Sequence, residues 1–168
     1  RVAVDINHPG HVHFFKHFLW EMERRGHKTF VSAADKEMSY YLLDRHHPKY
    51  FSLGRHRSHP LGKLLRLPGM DLRLYSGVKP FNPDLLMGIA PIRASHASFF
   101  LKKPCISFDD TEHASAQIAL YRPFVDSILT PWCFSKHLGN KQLRYPGYHE
   151  LAYLHPRHFK PNTSIYQD

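Results

Sequence analysis

Short apolar runs alternate along the chain with segments of helical spacing, and this alternation restricts the fold more than any other feature. Val2-Ala3-Val4-Asp5-Ile6 reads as a short buried strand that runs straight into Asn7-His8-Pro9-Gly10-His11. A helix is expected to start at Pro9 or Gly10, because proline is tolerated in a first turn. Phe15, Phe18, Leu19 and Met22 recur on one helical face, and Gly26 ends it. Further strands are expected over 28–33, 50–53, 84–88, 105–108, 125–129 and 143–145. Helices are expected through Met38, Tyr41, Leu42 and Arg45, over 94–101 and over 112–121, with a single turn at 135–138. Pro68-Gly69 is expected to split 54–83 into two helices, one carrying Leu61, Leu64 and Leu65, the other Leu72, Tyr75 and Val78. Strands and helices in alternation specify an α/β domain built on a mainly parallel sheet.

A length of 168 residues fits one domain, expected over 1–154, with the polar, proline-bearing stretch 155–168 as a linker. Cys105 and Cys133 have no paired spacing, which excludes zinc ribbons and dithiol redox chemistry. Both read as small core fillers of a reduced, cytoplasmic protein. No apolar run approaches the ~18 residues of a membrane span. The formal charge of +9 comes with an acid-free stretch from Arg45 to Met70 that holds Arg45, Lys49, Arg55, Arg57, Lys63 and Arg66. That stretch reads as a solvated surface or as a patch for an anionic partner. Nucleic acid is not expected, since no RNA- or DNA-binding motif is present.

In open α/β sheets ligands bind beyond the carboxyl ends of the strands, and four such ends carry distinctive residues. Asn7 to His11 joins the first strand to the first helix. Gly10 allows close backbone approach, the helix start offers N–H groups to an anion, and His8 and His11 flank the spot. Turn and capping chemistry is the plainer explanation of the same residues. The loop has neither GxGxxG nor the P-loop lysine. His13 and His17 stand at i and i+4, but the core face through Phe15 and Leu19 puts them toward solvent, so no metal site is expected. The second end, Asp109, Asp110, Glu112 and His113, crowds three carboxylates and an imidazole into one corner. Such crowding separates pKa values and makes acids and bases; capping of a helix at 112 accounts for one or two of the four. At the third, small residues open space and Arg93 can reach an anion. At the fourth, Gly147 and Tyr148 sit in Arg144-Tyr145-Pro146-Gly147-Tyr148-His149-Glu150, where aromatics can line a cleft.

Four stretches together carry a resemblance: Asp-Ile-Asn-His-Pro-Gly-His-Val-His-Phe-Phe at 5–15, Phe-Asp-Asp-Thr-Glu-His at 108–113, Ile-Leu-Thr-Pro at 128–131, and Arg-Tyr-Pro-Gly-Tyr-His-Glu-Leu-Ala-Tyr-Leu-His-Pro at 144–156. They resemble an uncharacterised archaeal and bacterial domain family. That family is itself similar to GT-B glycosyltransferases and to non-hydrolysing UDP-N-acetylglucosamine 2-epimerases. The resemblance implies a Rossmann-like domain with helices on both faces, the N-terminal half of a two-domain architecture with a cleft between the halves. It implies that the absent half holds most of the nucleotide-sugar site, while this half supplies the acceptor side and the loop at Asn7 to His11.

The function expected on that basis is glycosyl transfer from a nucleotide-sugar donor to an acceptor, with the nucleotide sugar as substrate and no bound cofactor. His11, or alternatively His8, is expected as the base or as a phosphate contact. Glu112, with Asp109 or Asp110, is expected to hold sugar hydroxyls or help remove a proton. The loop N–H groups are expected to meet the diphosphate. Basic residues 45–66 and the leucines at 61–65 are expected to rest on an anionic membrane surface. An epimerase acting on the donor alone, a non-catalytic sugar-nucleotide binder and a nucleic-acid binder are the alternatives.

Overall fold

A computed structural model describes residues 1–47, 49–55, 60–162 and 164, with backbone alone at 55 and 60–66. The expected alternation is present: β1 (Val2–Ile6), α1 (Pro9–Arg24), β2 (Thr29–Asp35), α2 (Ser39–His46), β3 (Phe51–Arg55), α3 (Pro60–Val78), β4 (Leu85–Ile89), α4 (Ile92–Leu101), β5 (Cys105–Phe108), α5 (Ser115–Tyr121), β6 (Ser127–Pro131), β7 (Gln142–Tyr145) and α6 (Leu151–Leu154). The strands form one sheet in the order β3-β2-β1-β4-β5-β6-β7. Every neighbouring pair is parallel. The order reverses between β1 and β4, and a crevice opens there at the carboxyl ends of the strands.

Alternation along the strands divides the core in two. Ala3 and Leu86 pack with Leu74, Val78, Ala94, Ala97, Ile118 and Tyr121, under α3, α4 and α5. Val4, Ile6, Met87 and Ile89 pack with Val12, Phe15, Leu19 and Leu43, under α1 and α2. The period of two places Asp5 on the same face as Ala3. There Arg93, in the first turn of α4, meets it.

Several elements differ from expectation. α3 runs unbroken through Pro68. Proline removes one N–H bond, and burial of Leu74 and Val78 against the sheet holds the helix together across it. Leu72 and Tyr41, two of the residues whose spacing marked these helices, are exposed, and Leu74 and Leu43 take the buried positions. Residues 135–138 make no helical turn, and α5 starts at Ser115 rather than at 112. Cys105 is buried, and burial pushes its thiol up to about 12, whereas Cys133 is exposed in the turn after β6.

His13 and His17 do not face solvent as expected. The C-terminal segment folds back over α1, so His13 packs between His46 and Tyr153 while His17 stacks on His158 at 4.3 Å. Of the basic run, Arg57 and the side chains of Arg55, Lys63 and Arg66 lie outside the described residues. So do the side chains of Leu61, Leu64 and Leu65, and with them the expected membrane contact. Among the described residues no helix is long and apolar enough to cross a membrane.

Candidate active site

A cavity of about 970 Å³ opens at the carboxyl ends of β1 and β4. The β1–α1 loop forms one wall with Asn7, His8, Gly10 and His11. The turn after β4 adds Ala90 and Arg93, and the β5–α5 loop adds Asp110, Thr111 and His113. His149, Glu150 and Tyr153 close it from the segment that follows β7. The sheet order brings these four stretches together although up to 146 residues separate them in sequence (Asn7 to Tyr153, 153 − 7).

The loop that opens the chain differs in one respect from expectation. His8 caps α1: its Nδ1 accepts the Gly10 N–H at 3.2 Å. The His11 N–H donates to the His8 carbonyl at 3.0 Å, and Pro9 has no N–H. The Asn7 N–H donates to His11 Nδ1 at 3.3 Å. The first turn therefore offers an anion no free N–H, because a histidine cap has already satisfied the groups that usually bind phosphate. His8 Nε2 stands 3.7 Å from Glu37.

His11 Nδ1 accepts a hydrogen bond, so in the neutral ring the proton sits on Nε2, which can only donate. Burial, reinforced by His8, pushes the His11 pKa down to about 3. Asn7 holds His11 through its backbone, while its side-chain oxygen accepts from Arg93 Nη2.

Depression of the His11 pKa has a consequence for stability. Between 6.5 and about 3 the unfolded chain binds a proton that the folded ring does not. Its contribution is intact above 6.5 and is lost as pH falls from there toward about 3. Chemical denaturation followed between pH 7 and 4 is expected to show this loss, and His11→Asn is expected to flatten it. An equal slope in both proteins contradicts the assignment.

Arg93 is committed rather than free. Its guanidinium and the Asp5 carboxylate approach to 3.0 Å with both side chains buried, and Ser32 donates a further bond to Asp5 at 2.7 Å. The anion contact expected of Arg93 is taken by this internal carboxylate. Ala90, between β4 and α4, has φ +43, a conformation that costs a non-glycine residue roughly 1 kcal/mol or more. Its carbonyl accepts from Gln117 Nε2 at 3.3 Å.

The acidic corner is a loop, not a helix start, so capping does not account for it: the residue preceding α5 is Ala114, with no side-chain cap. The four residues separate. Asp109 is buried, accepts the Tyr121 hydroxyl and the Thr111 N–H at 2.9 Å, and is raised by desolvation. Glu112 does not line the cavity. It accepts from the Ser135 N–H at 2.6 Å and from the Ser135 hydroxyl, tethering the loop after β6. Asp110 and His113 do face the cavity. Asp110 Oδ2 lies 3.0 Å from His149 Nδ1, and this contact does most to hold Asp110 below the usual carboxylate range. Gly147 and Tyr148 are not on the cavity wall; Gly147 makes a turn at φ +149, Tyr148 after it is exposed, and His149, two residues on from Gly147, points inward. His149 is the functional candidate that sequence reasoning passed over. The Pro146-Gly147 turn two residues before it is the available signal, since a reversal of the chain there sets where the side chains that follow point.

Strand order, the crevice at its reversal and the cavity define a Rossmann-like α/β domain. The chain belongs to the family described as Protein of unknown function (DUF354), whose model matches residues 1–168. A relative from Methanocaldococcus jannaschii, Uncharacterized protein MJ0665, is 24% identical over 130 residues, which are 77% of this chain and 38% of the relative. Among solved structures, MurG of Acinetobacter baumannii aligns with a TM-score of 0.69 at 12% identity, over 88% of this chain and 46% of MurG. The S. aureus MnaA–UDP co-structure aligns with 0.67 at 12%, over 99% of this chain and 51% of MnaA. UDP-GlcNAc 2-epimerase from Neisseria meningitidis bound to UDP-GlcNAc aligns with 0.60 at 14%, over 77% and 40%. The chain thus spans about half the length of these proteins or less, and the likeness is one of fold.

Proposed function

We propose that this chain is the acceptor-side half of a GT-B-like glycosyltransferase that uses a nucleotide-sugar donor. The observation that carries the reading is the cavity at the β1/β4 reversal. Its wall combines a donor-only imidazole at His11, an ionised carboxylate at Asp110 backed by His149, and further polar groups at Gln117, Glu150 and Tyr153. Such a wall matches sugar hydroxyls, each of which both donates and accepts. A diphosphate fits it less well, since the Asn7, Gly10 and His11 N–H groups are occupied and, among the described residues, Lys36 is the lysine or arginine left on the wall once Arg93 is paired. The diphosphate therefore belongs to a second half, and this half holds the hydroxyl that attacks.

In this assignment Asn7 fixes His11, whose Nε2–H donates to a sugar oxygen. His8 and Gly10 shape the loop, and Asp110 and His113 flank the reacting hydroxyl. Asp109 and Glu112 hold their loops in place. Arg93 links the two loops through Asp5 and Asn7. Gly147 and Tyr148 form the turn and rim outside the cavity.

The full-length protein supplied with UDP-N-acetylglucosamine alone is expected to leave the sugar's configuration unchanged, and to release UDP faster when hydroxyl acceptors are added. A second reading, 2-epimerisation of the donor without an acceptor, is favoured by the alignment with UDP-GlcNAc 2-epimerase from Neisseria meningitidis over 77% of the chain. Conversion to the 2-epimer with donor alone would establish that reading and exclude the transferase.

A further inference from the structure

We propose that His149 is the proton-accepting group of this cavity, its imidazole oriented by Asp110. The inference rests on the reading of the cavity as a site of glycosyl transfer and assigns the one role that reading leaves open. His149 is 5% exposed and lies on the cavity wall between β7 and α6. The Phe14 ring centroid is 4.9 Å away, and the Tyr145 ring runs nearly parallel at 6.1 Å. Nδ1 and Asp110 Oδ2 stand at 3.0 Å, ion-pair distance, though outside full hydrogen-bond alignment. Nε2 is buried and has no hydrogen-bond partner among the described residues. A buried polar atom without a partner is rare and calls for an explanation; on a cavity wall, a group from the ligand supplies one.

The chemistry follows from the two nitrogens. A carboxylate facing Nδ1 keeps the ring proton on that side and leaves the Nε2 lone pair to accept, the arrangement that orients a catalytic imidazole. Contacts of this kind are often loosely aligned until substrate binds. The other Asp110 oxygen, Oδ1, accepts the Thr111 hydroxyl at 3.0 Å, which fixes the carboxylate in turn. His11 is not available for the same task, because the nitrogen that can accept is taken by Asn7. The two imidazoles divide the work: His11 donates and His149 accepts. In the step itself the acceptor hydroxyl's proton passes to His149 Nε2 and its oxygen bonds to the anomeric carbon. The bond from that carbon to the diphosphate oxygen breaks, and its electron pair leaves with the nucleoside diphosphate. The proton then returns to solvent. Asp110 is a positioning residue in this scheme.

The groups facing His149 are Asp109 and Asp110 from the β5–α5 loop, His11 from α1, Tyr145 from β7 and Glu150 beside it. The test uses the full-length protein with UDP-N-acetylglucosamine as probe, its binding measured by calorimetry and its turnover by UDP release across pH. His149→Gln is expected to bind the probe within about threefold of wild type and to lose on the order of 10²–10⁴ in kcat. In His149→Ala, added imidazole is expected to restore part of the rate. Because His149 packs among aromatic rings, Asp110→Asn serves as the variant least disturbing to the fold. Its kcat is expected to fall and the acid limb of its pH profile to move to lower pH. Wild-type kcat in His149→Gln, no rescue by imidazole, or an unmoved acid limb in Asp110→Asn would overturn the assignment. A wild-type protein that neither binds nor turns over nucleotide sugars overturns the underlying reading instead, and the two failures are told apart by the wild-type measurement alone.

Discussion

Replacing Arg93 by alanine is expected to cost about 3–5 kcal/mol of folding free energy, the largest loss from any single exchange outside the apolar core. The reason is what it leaves behind. Asp5 is 1% exposed in β1, an interior strand of the sheet, and Arg93 neutralises it through two nitrogens, Nε and Nη2. Without the guanidinium the carboxylate keeps the Ser32 hydroxyl as its one side-chain donor. Lysine at 93 keeps the charge but not the fork, so Arg93→Lys is expected to fall between alanine and wild type. The paired variant Asp5→Ala/Arg93→Ala should be less destabilised than the sum of the two single changes, because the unpaired charge is gone. Denaturant midpoints decide this: equal midpoints for Arg93→Ala and wild type would show that the pair contributes nothing. The same exchange also cuts the link from Arg93 to Asn7, so sugar-nucleotide binding should weaken together with stability.

Gly88→Ala is the second large effect. A Cβ at that position would stand 2.9 Å from Pro91 Cβ and 3.0 Å from the Asp5 carbonyl oxygen. Neither neighbour is the far end of a flexible side chain, so β4 must move away from β1 at the point where the crevice opens. The expected cost is about 1–3 kcal/mol. Gly69→Ala is the control: among the described residues nothing lies within 4 Å of its Cβ, in a helix, and the exchange is expected to be neutral or to stabilise by roughly 0.5–1 kcal/mol. Thermal unfolding of the two variants side by side tests the contrast; similar midpoints would contradict it.

Much of this architecture was legible in the sequence because strands buried on both faces read as short apolar runs, and each run from Val2 to Tyr145 became a strand. Pro68 misled because proline acts locally, while the continuity of α3 comes from Leu74 and Val78 packing on the sheet. His13 and His17 misled because the helical face was judged against the sheet alone. No periodicity in α1 shows that the chain's last described segment returns to cover it. The site was legible as an address more than as a mechanism. Asn7 to His11 and Asp110 to His113 were found by the rule that ligands lie beyond strand ends. That the His8 ring accepts the Gly10 N–H, that Asp5 occupies Arg93, and that Glu112 turns away to Ser135 are all matters of side-chain direction. Spacing does not encode that. His149 escaped notice for the same reason, since its partner Asp110 lies 39 residues earlier in sequence (149 − 110) and meets it only through the parallel order of β5, β6 and β7.

In the proposed function the cavity at the β1/β4 reversal holds the sugar side of a nucleotide-sugar reaction. The most direct measurement is a calorimetric titration of the full-length protein with UDP-N-acetylglucosamine, and then with a panel of other nucleotide sugars, for wild type and His11→Ala. Saturable binding of at least one nucleotide sugar is expected, weakened about tenfold or more when the His11 donor is removed, as for a lost buried hydrogen bond of about 1–3 kcal/mol. Absence of binding across the panel, or equal affinity in His11→Ala, would contradict it.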